Sequence, residues 1–163
     1  MDRQLFIIRH GKSSWDAIVD DLDRPLTERG IRDAYEMAKR LHEKGLVPEV
    51  VYSSPANRAL HTAIIMSRVW KVPEDRIHIC RGLYLPEPDD IAEVIFGAPD
   101  ELASVAVFGH NPGFTEFANR FMKRQVDNVP TAGVVVVSIK FDSWGDLYNG
   151  RVKNVIFDYP KNK

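Results

Sequence analysis

The sequence contains a single cysteine, and this scarcity bears on both redox chemistry and metal binding. Cys80 has no partner for an internal disulfide, which favours a reducing compartment. Neither the cysteine nor the five histidines show the paired spacing that is typical of structural metal sites. We therefore expect a protein that uses no metal and no cofactor.

Long apolar runs, an excess of one charge and internal repeats are also missing. No apolar run approaches the roughly 20 residues of a membrane-spanning helix, and the first residues do not have the layout of a signal peptide. The formal net charge of −1 provides no global attraction to nucleic acid or to a membrane. Because heptads are absent too, we expect a cytoplasmic monomer that binds neither nucleic acid nor membrane.

What the sequence does contain is an ordinary globular composition with alternating strand and helix patterns. Its 163 residues, 44% of them hydrophobic, suffice for one domain, 1–163, with a substantial core. The alternation predicts a three-layer α/β/α sandwich with a mixed, mostly parallel sheet. Strands are predicted at 5–8, 49–52, 76–79, 104–108, 134–141 and 151–159, with the last two as an antiparallel pair. Helices are predicted at 28–44, 55–70 and 89–96, and again around 114–121.

Two of these helices carry clear start signals. Thr27 is predicted to cap the first helix and Gly45 to end it. Ser54 and Pro55 are predicted as the N-cap and the first residue of the second helix. Helical spacing of apolar residues gives the predicted buried positions, which are Ile31, Ala34, Tyr35, Ala38 and Leu41 in the first helix and Ala59, Ala63 and Ile64 in the second.

Charged and titratable side chains follow three of the predicted strands. Arg9 and His10 come directly after the first strand, Arg58 lies in the first turn after the second, and His110 follows the fourth. Ligands of open α/β sheets bind at the carboxyl ends of the strands, so these side chains converge if the strands are neighbours. Guanidinium groups match phosphate oxygens in bidentate geometry, and the set therefore predicts a phosphate site.

Five short polar blocks lie in order between residue 5 and about residue 140. They are 9–16 (RHGKSSWD), Asp21 with 24–27 and Gly30, 53–55 with Arg58 and 62–63, 109–113 (GHNPG), and 130–131. In this order and spacing the blocks resemble the histidine phosphatase superfamily, which has the phosphoglycerate-mutase-like fold. Within that superfamily the chain is most similar to the SixA-type phosphohistidine phosphatases.

The resemblance implies a role for four side chains. His10 is the nucleophile, while Arg9, Arg58 and His110 bind the phosphoryl group. The chemistry makes the same demand, because a neutral imidazole nitrogen can attack phosphorus and form a phosphohistidine that water later releases. Neighbouring cations disfavour the imidazolium form of His10. Its second ring nitrogen should donate to a carbonyl, for which Gly11 is the candidate.

Other residues are expected to border this site. Lys12 and Ser13 are candidates for substrate contact, with a solvated loop as the alternative, and the Gly11 backbone is expected to approach the phosphate. Asn111 is a further candidate for phosphate contact, although asparagine commonly bonds the backbone within a turn. Trp15, like Trp144, is expected only to cap the core.

The sequence offers no clear acid where many superfamily members protonate the leaving oxygen. Asp21, Tyr84 and Glu87 are the candidates for an acid or for the edge of the pocket. The alternatives are a solvated loop charge for Glu87, an ion pair with Arg24 for Asp21, and a core position for Tyr84. The lack of a clear acid favours a P–N bond as the bond broken, because a phosphoramidate nitrogen takes up a proton more readily than an ester oxygen.

The resulting hypothesis is a metal-independent phosphatase that acts through phospho-His10 on phosphohistidine carried by a signalling protein. The chain has no large insertion to form a lid, so an open pocket is expected, which suits a histidine displayed on a partner. A general small-molecule phosphomonoesterase remains open, and so does a non-catalytic module that binds phosphate or a phosphoprotein. Phosphoglycerate mutase activity is disfavoured because the chain is too short to enclose its substrate.

Overall fold

The computed structural model describes residues 1–16 and 18–163, which form a six-stranded sheet with helices on both sides. The strand order is β3-β2-β4-β1-β5-β6. The first four strands in this order are parallel, whereas β5 runs antiparallel to both β1 and β6. The predicted mixed, mostly parallel sheet is therefore confirmed. The strands are β1 (Asp2–Arg9), β2 (Val50–Ser53), β3 (Ile77–Ile79), β4 (Ser104–Gly109), β5 (Val134–Lys140) and β6 (Arg151–Asp158).

Within the described residues, four α-helices and two cores complete the predicted sandwich. Alternate side chains of β1 point to opposite faces of the sheet. Leu5 and Ile7 join the core under α3 and α4, and Phe6 and Ile8 join the core under α1 and α2. The helices are α1 (Glu28–Glu43), α2 (Asn57–Trp70), α3 (Pro88–Phe96) and α4 (Gly113–Asn119), with short 3-10 turns at Asp21–Asp23, Glu74–Arg76, Arg81–Leu83 and Trp144–Asn149.

Helix α1 begins where the sequence predicts, but it is rotated about its axis. The Thr27 side chain accepts a hydrogen bond from the Gly30 backbone N–H at 3.0 Å. Ile31 and Tyr35, expected in the core, are 40% and 48% exposed. The reason is the close approach of Gly30 to the loop after β1, which turns its face of the helix inward. The buried positions are Gly30, Ala34, Met37, Ala38 and Leu41.

The predicted start of α2 is wrong by two residues. The helix begins at Asn57 with Ala56 as its N-cap, so Pro55 is not its first residue. The Ser54 hydroxyl accepts from the Ala56 N–H at 3.1 Å, but it also bonds a histidine of the site described below. Ile64 is only half-buried, because the buried face of α2 follows Ala59, Ala63, Met66 and Trp70 at spacings of three and four residues.

The other elements agree with the predictions to within two residues, except that β1 begins three residues earlier than predicted, at Asp2. Helix α4 ends at Asn119, before Phe121, which nevertheless stays buried in the core. Trp144 is fully buried, as expected. No helix among residues 1–16 and 18–163 is long and apolar enough to cross a membrane.

Candidate active site

The two histidines meet because β1 and β4 are neighbours in register. Arg9 pairs with Gly109, so His10 and His110 each follow the strand end by one residue. The His10 N–H donates to the Gly109 carbonyl at 3.1 Å and extends the ladder to this point. The two imidazole centroids are 5.3 Å apart, with 52° between the ring planes. The register of two parallel strands therefore sets the spacing of the pair.

The four side chains singled out from the sequence line one cavity. Arg9 and His10 come from the end of β1, Arg58 from the first turn of α2, and His110 from the end of β4. The cavity has a volume of about 400 Å³ and is open to solvent. Its other lining residues are Lys12, Ser13, Trp15, Asp21, Arg24, Leu85, Asn111 and Thr131.

The loop after β1 is held close to both α1 and α2. A Cβ added to Gly30 would lie 2.2 Å from the Lys12 carbonyl oxygen, so only glycine allows this approach. The Gly11 N–H donates to the Thr62 hydroxyl at 3.0 Å, and that hydroxyl donates to the Arg58 carbonyl at 2.7 Å. These contacts tie the loop that follows His10 to the helix that carries Arg58.

His10 is oriented as an attacking imidazole requires. Its Nδ1 lies 2.7 Å from the Gly11 carbonyl oxygen. Because a carbonyl only accepts, Nδ1 carries the hydrogen and the lone pair is left on Nε2. The pKa of His10 is lowered to about 4, chiefly by burial and in smaller part by the Arg9 and Arg58 charges, whereas the Gly11 hydrogen bond opposes the shift. The imidazole is therefore neutral at pH 7, with the predicted carbonyl partner.

His110 has a different environment from His10. Its Nε2 lies 2.7 Å from the Ser54 hydroxyl oxygen. Its Nδ1 is buried and has no hydrogen-bond partner among residues 1–16 and 18–163. Burial lowers the pKa of His110 to about 3, and the charge of Arg58 acts in the same direction. A buried ring nitrogen without a partner next to a cationic cavity can accept or donate one further hydrogen bond.

The guanidinium groups around the cavity are only partly satisfied by the protein. Arg9 donates from Nη1 to the Val129 carbonyl at 3.0 Å, and its buried Nε has no partner in the described part of the chain. Arg58 donates to the carbonyl of Asp21 at 2.7 Å and to its carboxylate at 3.1 Å. Arg24 reaches the same carboxylate at 3.0 Å. Asp21 therefore holds two arginines at the cavity.

Asp21 is placed to pair with cations rather than to protonate a leaving group. It accepts from the Tyr84 hydroxyl at 2.6 Å as well as from the two arginines. The Tyr84 hydrogen bond lowers the pKa of Asp21 to about 2, and the bonds from Arg24 and Arg58 lower it too. The alternative of an ion pair with Arg24 thus describes this residue.

Tyr84 forms an edge of the site, whereas Glu87 is the solvated charge that was the alternative for it. Tyr84 is half-buried rather than in the core, and its ring packs edge-on against His110 with centroids 5.5 Å apart. Its hydroxyl is committed to Asp21, so it forms an edge of the site. Glu87 is exposed and immediately precedes α3, where its N–H donates to the Asp90 carboxylate at 2.9 Å. Glu87 is not among the residues that line the cavity.

Asn111 lines the cavity, but its amide is occupied by protein groups. Its Oδ1 accepts from the backbone and the hydroxyl of Thr115, at 3.1 and 2.8 Å. Its Nδ2 donates to Asn128 and to the Val129 carbonyl, at 2.8 and 3.0 Å. The turn-forming alternative therefore describes the side chain, and a contact with phosphate stays a prediction.

The sequence interpretation did not assign five residues to the site that the structure places there: Trp15, Arg24, Ser54, Leu85 and Thr131. Trp15 was expected to cap the core, yet it is 78% exposed and stacks on Arg24, whose guanidinium carbon lies 3.3 Å from the ring centroid. An aromatic residue within a polar loop directly after the strand end was the available signal. Ser54, the partner of His110, gave no signal beyond its helix-cap chemistry. Leu85, which also lines the cavity, gave none.

The arrangement suits a small multivalent anion in contact with an imidazole nitrogen. Three arginines and one lysine face the cavity against one carboxylate, Asp21. Across residues 1–16 and 18–163, no group of three or more His, Cys, Asp or Glu side chains is close enough to hold a metal ion. Fold and site together define an α/β enzyme that acts on phosphoryl groups.

Comparison with known proteins agrees with this class. The sequence model of the histidine phosphatase superfamily (branch 1) matches residues 5–83, which include Arg9, His10 and Arg58. A solved structure of the protein histidine phosphatase SixA in complex with tungstate is 25% identical, with a TM-score of 0.79 and coverage of 98% of each chain. Residues 5–83 thus match the histidine phosphatase superfamily, and together with the structural likeness this match supports a phosphatase-type hydrolase.

Two sequence relatives show how far the likeness extends. An uncharacterised chloroplast protein of Arabidopsis thaliana is 27% identical over 158 residues, covering 91% of this chain and 72% of that protein. A 2,3-bisphosphoglycerate-dependent phosphoglycerate mutase of Bifidobacterium longum is 35% identical over 83 residues. That match covers 47% of this chain but only 33% of the mutase, so most of the mutase has no counterpart in the alignment.

Proposed function

We propose that the protein hydrolyses phosphohistidine on a partner protein and that it works through a covalent phosphate on His10. One observation carries the proposal. His10 has its Nδ1 fixed by the Gly11 carbonyl, a pKa of about 4, and a second imidazole 5.3 Å away in a cationic cavity. A neutral imidazole whose free nitrogen faces bound phosphate is a nucleophile that needs no further activation.

The reaction takes place in two transfers. In the first, Nε2 of His10 attacks phosphorus, a P–N bond to His10 forms, and the bond to the leaving imidazole breaks. The leaving nitrogen takes its proton from solvent. In the second, water attacks the phosphorus, the bond to His10 breaks and inorganic phosphate leaves. Both transfers need the nucleophile in line with the leaving group and stabilised charge on three equatorial oxygens.

Arg9, Arg58 and His110 are the candidates to hold those oxygens. Arg9 has a buried Nε and His110 has a buried Nδ1, and neither atom has a hydrogen-bond partner among the residues that the structure describes. Arg58 is bound to a carboxylate, which an arriving phosphate can replace with an equivalent anionic partner. Fixed donors of this kind stabilise developing charge more effectively than water does, because they need no reorganisation.

The chemistry of the leaving group favours a P–N bond. The carboxylate nearest to the arginines, Asp21, has a pKa of about 2 and is ionised at neutral pH. It has no proton to give to an alkoxide. An imidazole leaving group takes up a proton readily and does not need an acid of this kind. The likeness to a protein histidine phosphatase whose structure holds tungstate, a tetrahedral oxyanion like phosphate, supports the same substrate class.

Single-turnover trapping tests the proposal. The enzyme is mixed with a small phosphocarrier protein that was phosphorylated on histidine by potassium phosphoramidate, and labelled phosphate is located after a rapid quench. We expect acid-labile label on His10 and complete loss of turnover in His10→Ala with an unchanged circular dichroism spectrum. His61→Ala, at a half-buried histidine of α2 outside the cavity, is the matched control. Substantial turnover by His10→Ala would remove His10 from the nucleophile role.

The same measurement separates the two substrate classes. A panel of small phosphate esters is assayed beside the phosphocarrier protein under identical conditions. We expect a higher kcat/KM for the phosphoprotein. Turnover of the esters alone would establish a small-molecule phosphomonoesterase instead.

A further inference from the structure

Exposed apolar side chains concentrate beside the mouth of the cavity. Among residues 1–16 and 18–163, eleven large apolar side chains are exposed. Five of them lie in the stretch 15–22 or at the loop before α3, and the other six are dispersed over five elements or termini of the fold. We call these five side chains the apolar rim: they are Trp15, Ile18, Val19, Leu22 and Leu85.

The apolar rim reaches the phosphoryl site through two of its members. Trp15 and Leu85 line the cavity itself. In the sequence, Ile18 and Val19 lie between Trp15 and Asp21, and both of these flanking residues line the cavity. Ile18 is fully exposed, so its side chain contributes almost nothing to the core. Clustered apolar side chains next to a charged cavity mark a contact surface rather than a folding requirement.

The backbone at Leu85 gives an independent indication. Its φ is +46°, in the left-handed region that disfavours residues other than glycine, asparagine and aspartate. The leucine side chain is nevertheless 57% exposed, so burial does not compensate for this conformation. Strained residues of this kind cluster at sites of binding and catalysis. A large apolar group is therefore held at the mouth at a cost to stability.

We infer that the apolar rim docks the phosphorylated partner by contacting apolar side chains that surround its phosphohistidine. This inference rests on the proposed function and adds the chemistry of the partner surface. The occupant follows from charge complementarity, because one anionic group enters a cavity that carries Arg9, Lys12, Arg24 and Arg58. A small free phosphate ester bound in the cavity would leave Ile18 and Val19, which are not part of its lining, in water. A partner that presents the phosphate from an apolar surface covers them.

Two substrates with the same P–N bond test the inference. One is the phosphocarrier protein phosphorylated with phosphoramidate, and the other is free phosphohistidine, which has no surrounding surface. The variant is Ile18→Ser combined with Val19→Ser, and Ile18→Ser alone serves as a milder second variant. The matched control is Ile79→Ser on the edge strand β3, where the isoleucine is 59% exposed and does not line the cavity.

We expect the double variant to lower kcat/KM for the phosphoprotein about tenfold, mainly through KM, as truncation of an interface anchor does. Its kcat/KM for free phosphohistidine should stay within about twofold of wild type, as should both values for Ile79→Ser. Equal losses on both substrates, or no loss on either, would overturn the docking role. The proposed function fails separately, if the wild-type enzyme turns over neither phosphohistidine substrate.

Discussion

Strand β1 carries an arginine near each end, and the protein treats the two in opposite ways. Arg3 is 3% exposed, and its guanidinium donates to the carbonyls of Asp100, Leu102, Phe141 and Asp142 at 2.6 to 3.3 Å. Arg9 donates to one carbonyl and keeps a buried Nε without a partner in the described residues. The fold supplies acceptors for the guanidinium of Arg3, whereas the guanidinium of Arg9 keeps a donor that a ligand can bind.

The difference shows how a cationic site can be separated from a cationic structural contact. A buried donor without a partner costs about 1 to 3 kcal/mol of desolvation. The protein bears this cost at Arg9 and avoids it at Arg3. The unpaired donor of Arg9 therefore indicates a ligand-binding role. Arg58 sharpens the contrast, because it is as buried as Arg3 but is bound to a carboxylate at the edge of a cavity.

The largest effect is expected at Arg58. Arg58→Ala should lower kcat/KM for the phosphoprotein by roughly a hundredfold or more, as the loss of one transition-state donor does. Arg68→Ala, at an exposed arginine of the same helix, should leave the rate unchanged. Steady-state kinetics of both variants check this. A nearly normal rate for Arg58→Ala would place Arg58 with Arg3 among the structural arginines.

A paired substitution tests the two ends of β1 against each other. Arg3→Met should destabilise the fold by about 3 kcal/mol because several carbonyls lose their donor, while kcat of the folded fraction is retained. Arg9→Met should lower kcat/KM at least tenfold and change the free energy of unfolding by less than about 1 kcal/mol. Urea unfolding measures the stability of both variants, and phosphatase assays measure their activity. The expected pattern is a loss of stability in Arg3→Met and a loss of activity in Arg9→Met. A parallel loss of stability and activity in both would remove the distinction.

A smaller effect is expected from the buried histidines as pH falls. The pKa of His10 is about 4 in the folded protein, against 6.5 for an unperturbed histidine. Between these values the unfolded chain binds a proton that the folded chain does not, so acidification favours unfolding. The stability present above pH 6.5 should be lost progressively down to about pH 4, by up to about 3 kcal/mol for this residue.

The comparison for this pH effect is His10→Asn, which has no titrating ring. Its free energy of unfolding should fall less than that of wild type between pH 6.5 and pH 4, measured by urea titration at each pH. Equal slopes would show that His10 titrates normally in the folded state.

Sequence patterns predicted the layers and the four central side chains because those features depend on local periodicity and on strand ends. The rotation of α1 was not predictable from spacing, since it depends on the approach of Gly30 to the Lys12 carbonyl, which is a tertiary contact. The start of α2 was misjudged because Ser54 carries cap chemistry but uses its hydroxyl on His110, 56 residues away. The position of Trp15 likewise follows from its stacking on Arg24, which no spacing rule encodes.

The register between β1 and β4 has a consequence for how this enzyme can change over time. Main-chain hydrogen bonds between β1 and β4, which end at Arg9 and Gly109, set the separation of the two imidazoles. This distance does not depend on any core side chain. Substitutions in either core can therefore accumulate while the reaction centre keeps its dimensions. In contrast, a one-residue insertion within either strand would by itself turn one of the two rings to the opposite face of the sheet.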